Sequence, residues 1–228
     1  TMTVPSSGNL SIELSDAGGP AIWSTDWGMA LYSGTCGSFT EIDCAAGGFP
    51  DLDLTGLTPG VTLRLRVFNN ADEDGAFNIC AYSPPPPNDL CTTAEALTVG
   101  ASTCSNTLGT IASATASGET PNPTCSTADE DVWYSVVVPA SGSINIETSS
   151  SGGLTDPEMA VYSGTCGGGL TEVECDQDDG PGNFARVELT GRTPGETLFV
   201  RIWDFGNVFH SGFAEFFLQK LMMKFLSR

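Results

Sequence analysis

The 228-residue chain has a single histidine, His210. A Ser-His-Asp triad would have to be built on that one residue near the C-terminus, and a zinc site would lack its usual His and C-x-x-C ligands. Carboxylates are the other candidates. Asp72/Glu73/Asp74, Asp129/Glu130/Asp131 and Asp176/Asp178/Asp179 could in principle pair for glycoside hydrolysis. Each cluster lies in or beside a turn, where Asp and Glu are ordinarily solvated. The chain reads as a non-enzyme. Calcium is the one cofactor with a candidate site: "DQDDGPGN" (176–183) sets Asp176, Asp178 and Asp179 ahead of a glycine turn, the oxygen-rich geometry a hard cation takes. It lacks the distal glutamate of an EF-hand.

Binding and structural chemistry are better represented. Trp23 and Trp27 share the loop "GGPAIWSTDWG", where two aromatics could stack on sugar rings or dock a protein. The alternative is that they close the end of a core. Arg66 and Arg201 occupy matching strand positions, "RVF" and "RIW". Asp26 and Asp156 are their candidate partners for structural ion pairs. The eight cysteines suggest disulfides formed in an oxidising compartment. Proximity pairs Cys36 with Cys44, Cys166 with Cys175 and Cys104 with Cys125, leaving Cys80 and Cys91 as unpaired thiols.

These residues must be held by elements that occur twice. "TDWGMALYSGTCG" (25–37) lies over "TDPEMAVYSGTCG" (155–167), and "LTGLTPGVTLRLRVF" (54–68) over "LTGRTPGETLFVRIW" (189–203), the signature of an internal repeat. "LSIEL" and "SINIET" alternate as half-buried strands do, and "DVWYSVVV" is rich in β-branched and aromatic residues. Gly/Pro turns punctuate them. The expected fold is all-β: two tandem jelly-roll-like β-sandwich modules, both incomplete. They are the later part of a first module (1–83), a proline linker (84–87) and a second module (88–207). The tail (208–228) carries both lysines, Lys220 and Lys224, and loses the alternation. It reads as non-native, from a lost reading frame or a truncated gene, or as helical. A membrane-anchoring amphipathic helix is the weaker reading of it.

The formal charge is −20, and all 28 acids precede the lysines. Such a surface repels phosphate backbones and argues against nucleic-acid partners. No export signal or apolar span of membrane-crossing length stands out, and any export signal is expected upstream.

Together "NDLC", "DVWYSVVVPASG", "MAVYSGTCG", "LTGxTPG", "VRIWDFGN" and "FNICAYSPPPPNDLC" resemble a repeat of large secreted Bacteroidota proteins exported by the type IX system. That repeat is similar to the pre-peptidase C-terminal domains of secreted proteases. The resemblance implies a non-catalytic extracellular or cell-surface module with adhesive, accessory or spacer roles. Its partners would be an extracellular glycan or protein and the flanking modules of the same parent chain. Two further readings stay open: an accessory part of a secreted protease or glycoside hydrolase, and a carbohydrate-binding module.

Overall fold

Leu10, Ile12 and Leu14 alternate with smaller or charged residues, and the strand they make, β2 (Leu10–Asp16), turns them into an apolar core. The computed structural model describes residues 1–17, 26–70, 75–100, 104–118, 122–150, 154–207 and 215–219. It divides into two compact units, Thr1–Pro84 and Pro85–Arg228.

In the first unit β2 pairs with β5 (Asp51–Leu54) and β7 (Phe77–Tyr82) in a sheet of order β5-β2-β7. The other sheet, β1-β6-β3-β4, contains β1 (Met2–Thr3), β3 (Trp27–Thr35), β4 (Ser38–Ala46) and β6 (Thr62–Asn69). Leu52 and Leu54 of the first sheet and Met29, Leu31 and Leu63 of the second share one buried cluster. Each such side chain, fully buried, contributes about 1.5–3 kcal/mol.

The second unit repeats this layout with additions. Its larger sheet has the order β13-β12-β15-β10-β8. The strands are β8 (Glu95–Ala96), β10 (Asp131–Val137), β12 (Pro157–Thr165), β13 (Gly169–Asp176) and β15 (Thr197–Asp204). The facing sheet, β14-β11-β16-β9, is built from β9 (Thr107–Thr110), β11 (Ile144–Ser150), β14 (Arg186–Leu189) and β16 (Glu215–Gln219). Val132, Val136, Met159, Val161, Val200 and Ile202 meet Ile144, Ile146, Val187 and Leu189 in the core between the sheets.

Strand β16 corrects the helical expectation for the tail within residues 215–219. It pairs antiparallel with β11 on one side and β9 on the other, as β7 pairs with β2 in the first unit. The backbone groups facing that slot require partners, and an extended segment supplies them where a helix would not. Residues 208–214 and 220–228, with His210, Lys220 and Lys224, lie outside the described residues.

The repeated "YSGTCG" phrase closes a hairpin. The β3–β4 ladder shifts register between Leu31 and Tyr32, and the β12–β13 ladder between Val161 and Tyr162. Each bulge is followed by a glycine at positive φ, Gly34 at 94° and Gly164 at 112°. A Cβ on Gly164 would lie 2.4 Å from the Gly169 carbonyl oxygen, and one on Gly34 2.3 Å from that of Ser38. Only glycine fits both demands. Gly164→Ala is therefore expected to destabilise the second unit by about 1–3 kcal/mol in urea unfolding. Gly118, which has open space around it and no positive φ, supplies the control. A loss no larger than that of Gly118→Ala would contradict this reading of the phrase.

Candidate functional site

Strand β10 is apolar on both sides because its sheet is buried on both faces. Val132, Tyr134 and Val136 face the core between the sheets. Trp133 points the other way, into a second cluster with Ala160, Tyr162 and Trp203. That outer face is covered by the segment before β10, which contributes Cys91 and Ala128 to the same cluster. The "NDLC" motif fastens this cover. Asn88 exchanges hydrogen bonds with the Trp133 backbone: its carbonyl accepts from Trp133 N–H at 2.8 Å and its amide donates to Trp133 O at 3.0 Å. The Asp89 carboxylate accepts from the Thr115 backbone N–H and hydroxyl, each at 2.6 Å. Cys91 is disulfide-bonded to Cys166, with Cα atoms 5.6 Å apart.

Under the cover lies a charged network. Arg201, 1% exposed, pairs with Asp131, which is fully buried; Nε lies 3.0 Å from one carboxylate oxygen and Nη2 donates to the other at 3.0 Å. Asp131 also accepts from the Ser117 backbone N–H at 2.9 Å. The guanidinium stacks 5.5 Å from the Trp133 ring centre, and Trp133 Nε1 donates to Ser117 Oγ at 2.6 Å. Glu158, also fully buried, accepts from Trp203 Nε1 and Gln177 Nε2, and Gln177 reaches on to the Cys125 carbonyl at 3.1 Å. Cys125 is bonded to Cys175. This arrangement locks a cover to a sheet. Its acids and cation are paired inside the protein and buried from solvent.

A further group of polar side chains lies at the end of the sheet. Phe205, 53% exposed, follows β15, and its N–H donates to the Asp156 carbonyl at 2.9 Å. Burial and then the charge of Asp178 push the Asp156 carboxyl up, opposed by a hydrogen bond from Asn183. Asp176 and Glu174 are also raised, chiefly by burial. Phe205 is thus an exposed aromatic residue whose backbone meets that of Asp156, and the Asp156 carboxyl in turn interacts with Asp178 and Asn183.

A galactose binding domain-like family associated with the type IX secretion system (T9SS) matches residues 87–202. The chain belongs to this family. A search of the curated proteins finds no match. The T9SS association agrees with the export system inferred from the sequence resemblance, while the matching family is a galactose-binding-like one rather than a pre-peptidase C-terminal one. No helix among the described residues is long and apolar enough to cross a membrane.

The galactose-binding-like match ends just before Trp203, and several residues singled out from sequence take other roles. Trp27 is 6% exposed and packs edge-on against Phe77 at 5.1 Å, so it belongs to the core of the first unit and has no open face for a sugar. Trp23 and the cluster Asp72/Glu73/Asp74 lie outside the described residues. Arg201 pairs with Asp131 instead of Asp156, because Asp131 faces it across the β10–β15 edge where the cover closes. Asp131 itself is thereby no solvated turn residue. Arg66 lies over Phe68 at 5.2 Å rather than against Asp26, which accepts from Asn70 Nδ2 at 3.3 Å. In the calcium loop, one Asp176 oxygen accepts from the Asp179 and Arg186 backbone N–H groups at 3.2 and 2.7 Å. That carboxylate closes its own turn, and no group of three ligating side chains is found among the described residues.

The cysteine pairing differs most. Cys166 and Cys175 are bonded, but to Cys91 and Cys125. Cys91 is therefore not an orphan. Cys36, Cys44 and Cys80 are exposed thiols, and Cys104 has no disulfide, its thiol donating to Asn106 Oδ1 at 3.2 Å. Sequence proximity misled here. Cys175 stands opposite Ala160 while Cys166 lies past Thr165, roughly 20 Å away along the hairpin at strand rise. A disulfide needs Cα atoms within about 7 Å. The usable signal was "NDLC" and "PTCST" occurring once, in the segment preceding β10.

The raised carboxyls give a pH dependence. A carboxyl whose pKa is raised on folding binds its proton more tightly in the folded state, so it favours folding below that pKa and the contribution is lost as pH rises through it. Through these carboxyls the second unit's melting temperature is expected to rise as pH falls through their raised range towards the ordinary carboxylate value of about 4. In Asp178→Asn, which removes a like charge, the Asp156 titration followed by carboxyl NMR is expected to move down. An unmoved Asp156 titration would contradict the placement of these two side chains.

Proposed function

We propose that the chain is a non-catalytic extracellular module of a secreted or surface-attached T9SS protein, built from two copies of one β-sandwich design. Its second copy binds a glycan at the loop end formed by residues 154–157, 176–184 and 203–206. One observation carries the ligand reading. Phe205 stays open to solvent where its backbone meets Asp156, whose carboxyl interacts with Asp178 and Asn183, while the buried acids Asp131 and Glu158 are consumed by Arg201, Trp203 and Gln177. Family membership supports the binding role and the export route.

The test is a glycan array probed with the full chain, followed by calorimetric titration of retained sugars, galactose included. Phe205→Ala and Asp178→Asn are each expected to weaken binding by about tenfold, the scale of one lost ring contact or charged hydrogen bond. Their melting temperatures should stay near that of the parent. Retention of a glycan with unchanged affinity in both variants would move the site elsewhere. No retained glycan at all would remove the carbohydrate reading.

A further inference from the structure

Among the described residues, the first unit has no counterpart of the segment that covers the outer sheet face in the second unit. Ala30, Tyr32, Phe68 and Cys44 occupy the ladder positions of Ala160, Tyr162, Trp203 and Cys175. Cys36 follows Thr35 as Cys166 follows Thr165. In the second unit those positions lie under the cover, and both cysteines are bonded to it. In the first, Phe39 is 45% exposed, Arg66 is exposed, and Cys36 and Cys44 are exposed thiols. They cannot satisfy each other: Cys44 stands opposite Ala30, and Cys36 lies beyond the far end of the hairpin.

The open strand edge matches as well. β15 is paired with β10 from Thr197 to Trp203. β6 has a partner on the corresponding edge only at Thr62 and Leu63, through Thr3 and Met2. From Arg64 to Phe68 that edge has no ladder partner among the described residues. Charge completes the match. Arg66 stands where Arg201 does, and Arg201 is neutralised by Asp131 at the head of β10.

We propose that this face of the first unit is a docking surface for a polypeptide segment of the residue 88–135 type. Such a segment adds a strand to β6, sets an aspartate on Arg66 and forms disulfides with Cys36 and Cys44. The inference rests on the two-copy reading and is independent of the glycan site. Each bond forms when two thiols give two protons and two electrons to a disulfide oxidant, which leaves as two thiols. Glu41 beside Cys44 pushes that thiol's pKa up, so the reaction is run at mildly alkaline pH, where more thiolate is present.

The test mixes the full chain with an isotope-labelled synthetic peptide of residues 88–135 carrying Cys104→Ser, in reduced and oxidised glutathione. Products are mapped by mass spectrometry without reduction. The expected product is a one-to-one adduct with Cys36 joined to peptide Cys91 and Cys44 to peptide Cys125. The unlabelled Cys91–Cys166 and Cys125–Cys175 bonds of the second unit stay intact. A peptide with Asp131→Asn should give several-fold less adduct. No adduct, adducts spread equally onto Cys80, a Cys36–Cys44 bond, or chain-to-chain dimers through Cys36 in place of the adduct would each overturn the proposal. None of these outcomes bears on glycan binding, which the Phe205 variants test separately.

Discussion

A cation and an anion removed from water have to find each other, and the second unit is organised round one such pair. Arg201 on β15 and Asp131 at the head of β10 are both essentially fully buried. Such a pair repays its desolvation only with good geometry and satisfied remaining donors. The surroundings contribute to that: the Ala128 carbonyl accepts from Arg201 at 3.3 Å, the Ser117 N–H donates to Asp131, and the Trp133 ring lies against the guanidinium. Ala128 and Ser117 come from the cover, so the cover supplies the remaining hydrogen bonds to an ion pair that β15 and β10 make within the sheet. The two disulfides hold the cover at separate points, Cys91–Cys166 and Cys125–Cys175. Together they convert the outer face of a sheet into a second core.

The two units show what one frame does with and without that closure. Their larger sheets share the order of the four corresponding strands and the bulge at the same tyrosine. They diverge where the outer face meets its surroundings. In the covered unit Trp203 donates to buried Glu158. In the open unit the matching pair is Phe68 and Gly28, and a Cβ on Gly28 would lie 2.5 Å from the Phe68 ring. A purely apolar contact suits a half-exposed face, because a buried carboxylate without its partners would be costly. The exposed thiols and Arg66 nonetheless remain in the first unit at the positions a cover would use.

Strands and repeats were legible in the sequence because period-two alternation and matched turns are local signals. Leu10/Ile12/Leu14 and the "YSGTCG" hairpins needed no knowledge of distant residues. The site was less legible because its contacts span long separations: Arg201 and Asp131 lie on different strands, and the bonded cysteines are 75 and 50 residues apart. The repeated "TD" position favoured Asp156 for Arg201, and proximity favoured Cys175 for Cys166, which sheet geometry forbids. Trp27 illustrates a different failure. Its loop position suggested exposure, whereas it begins β3 and turns inward against Phe77. The tail's loss of alternation hid a segment that the open slot beside β11 draws into a strand.

The central claim is that the buried Arg201–Asp131 pair couples β15 to β10 beneath the cover. A double-mutant cycle measures that coupling directly, using urea unfolding of the full chain with Arg201→Met, Asp131→Leu and both together. The account predicts that each single variant loses about 3–5 kcal/mol, since either leaves an uncompensated buried charge. The double variant should lose markedly less than their sum. Single losses below about 1 kcal/mol, as exposed pairs give, or a double loss equal to the sum, would contradict it.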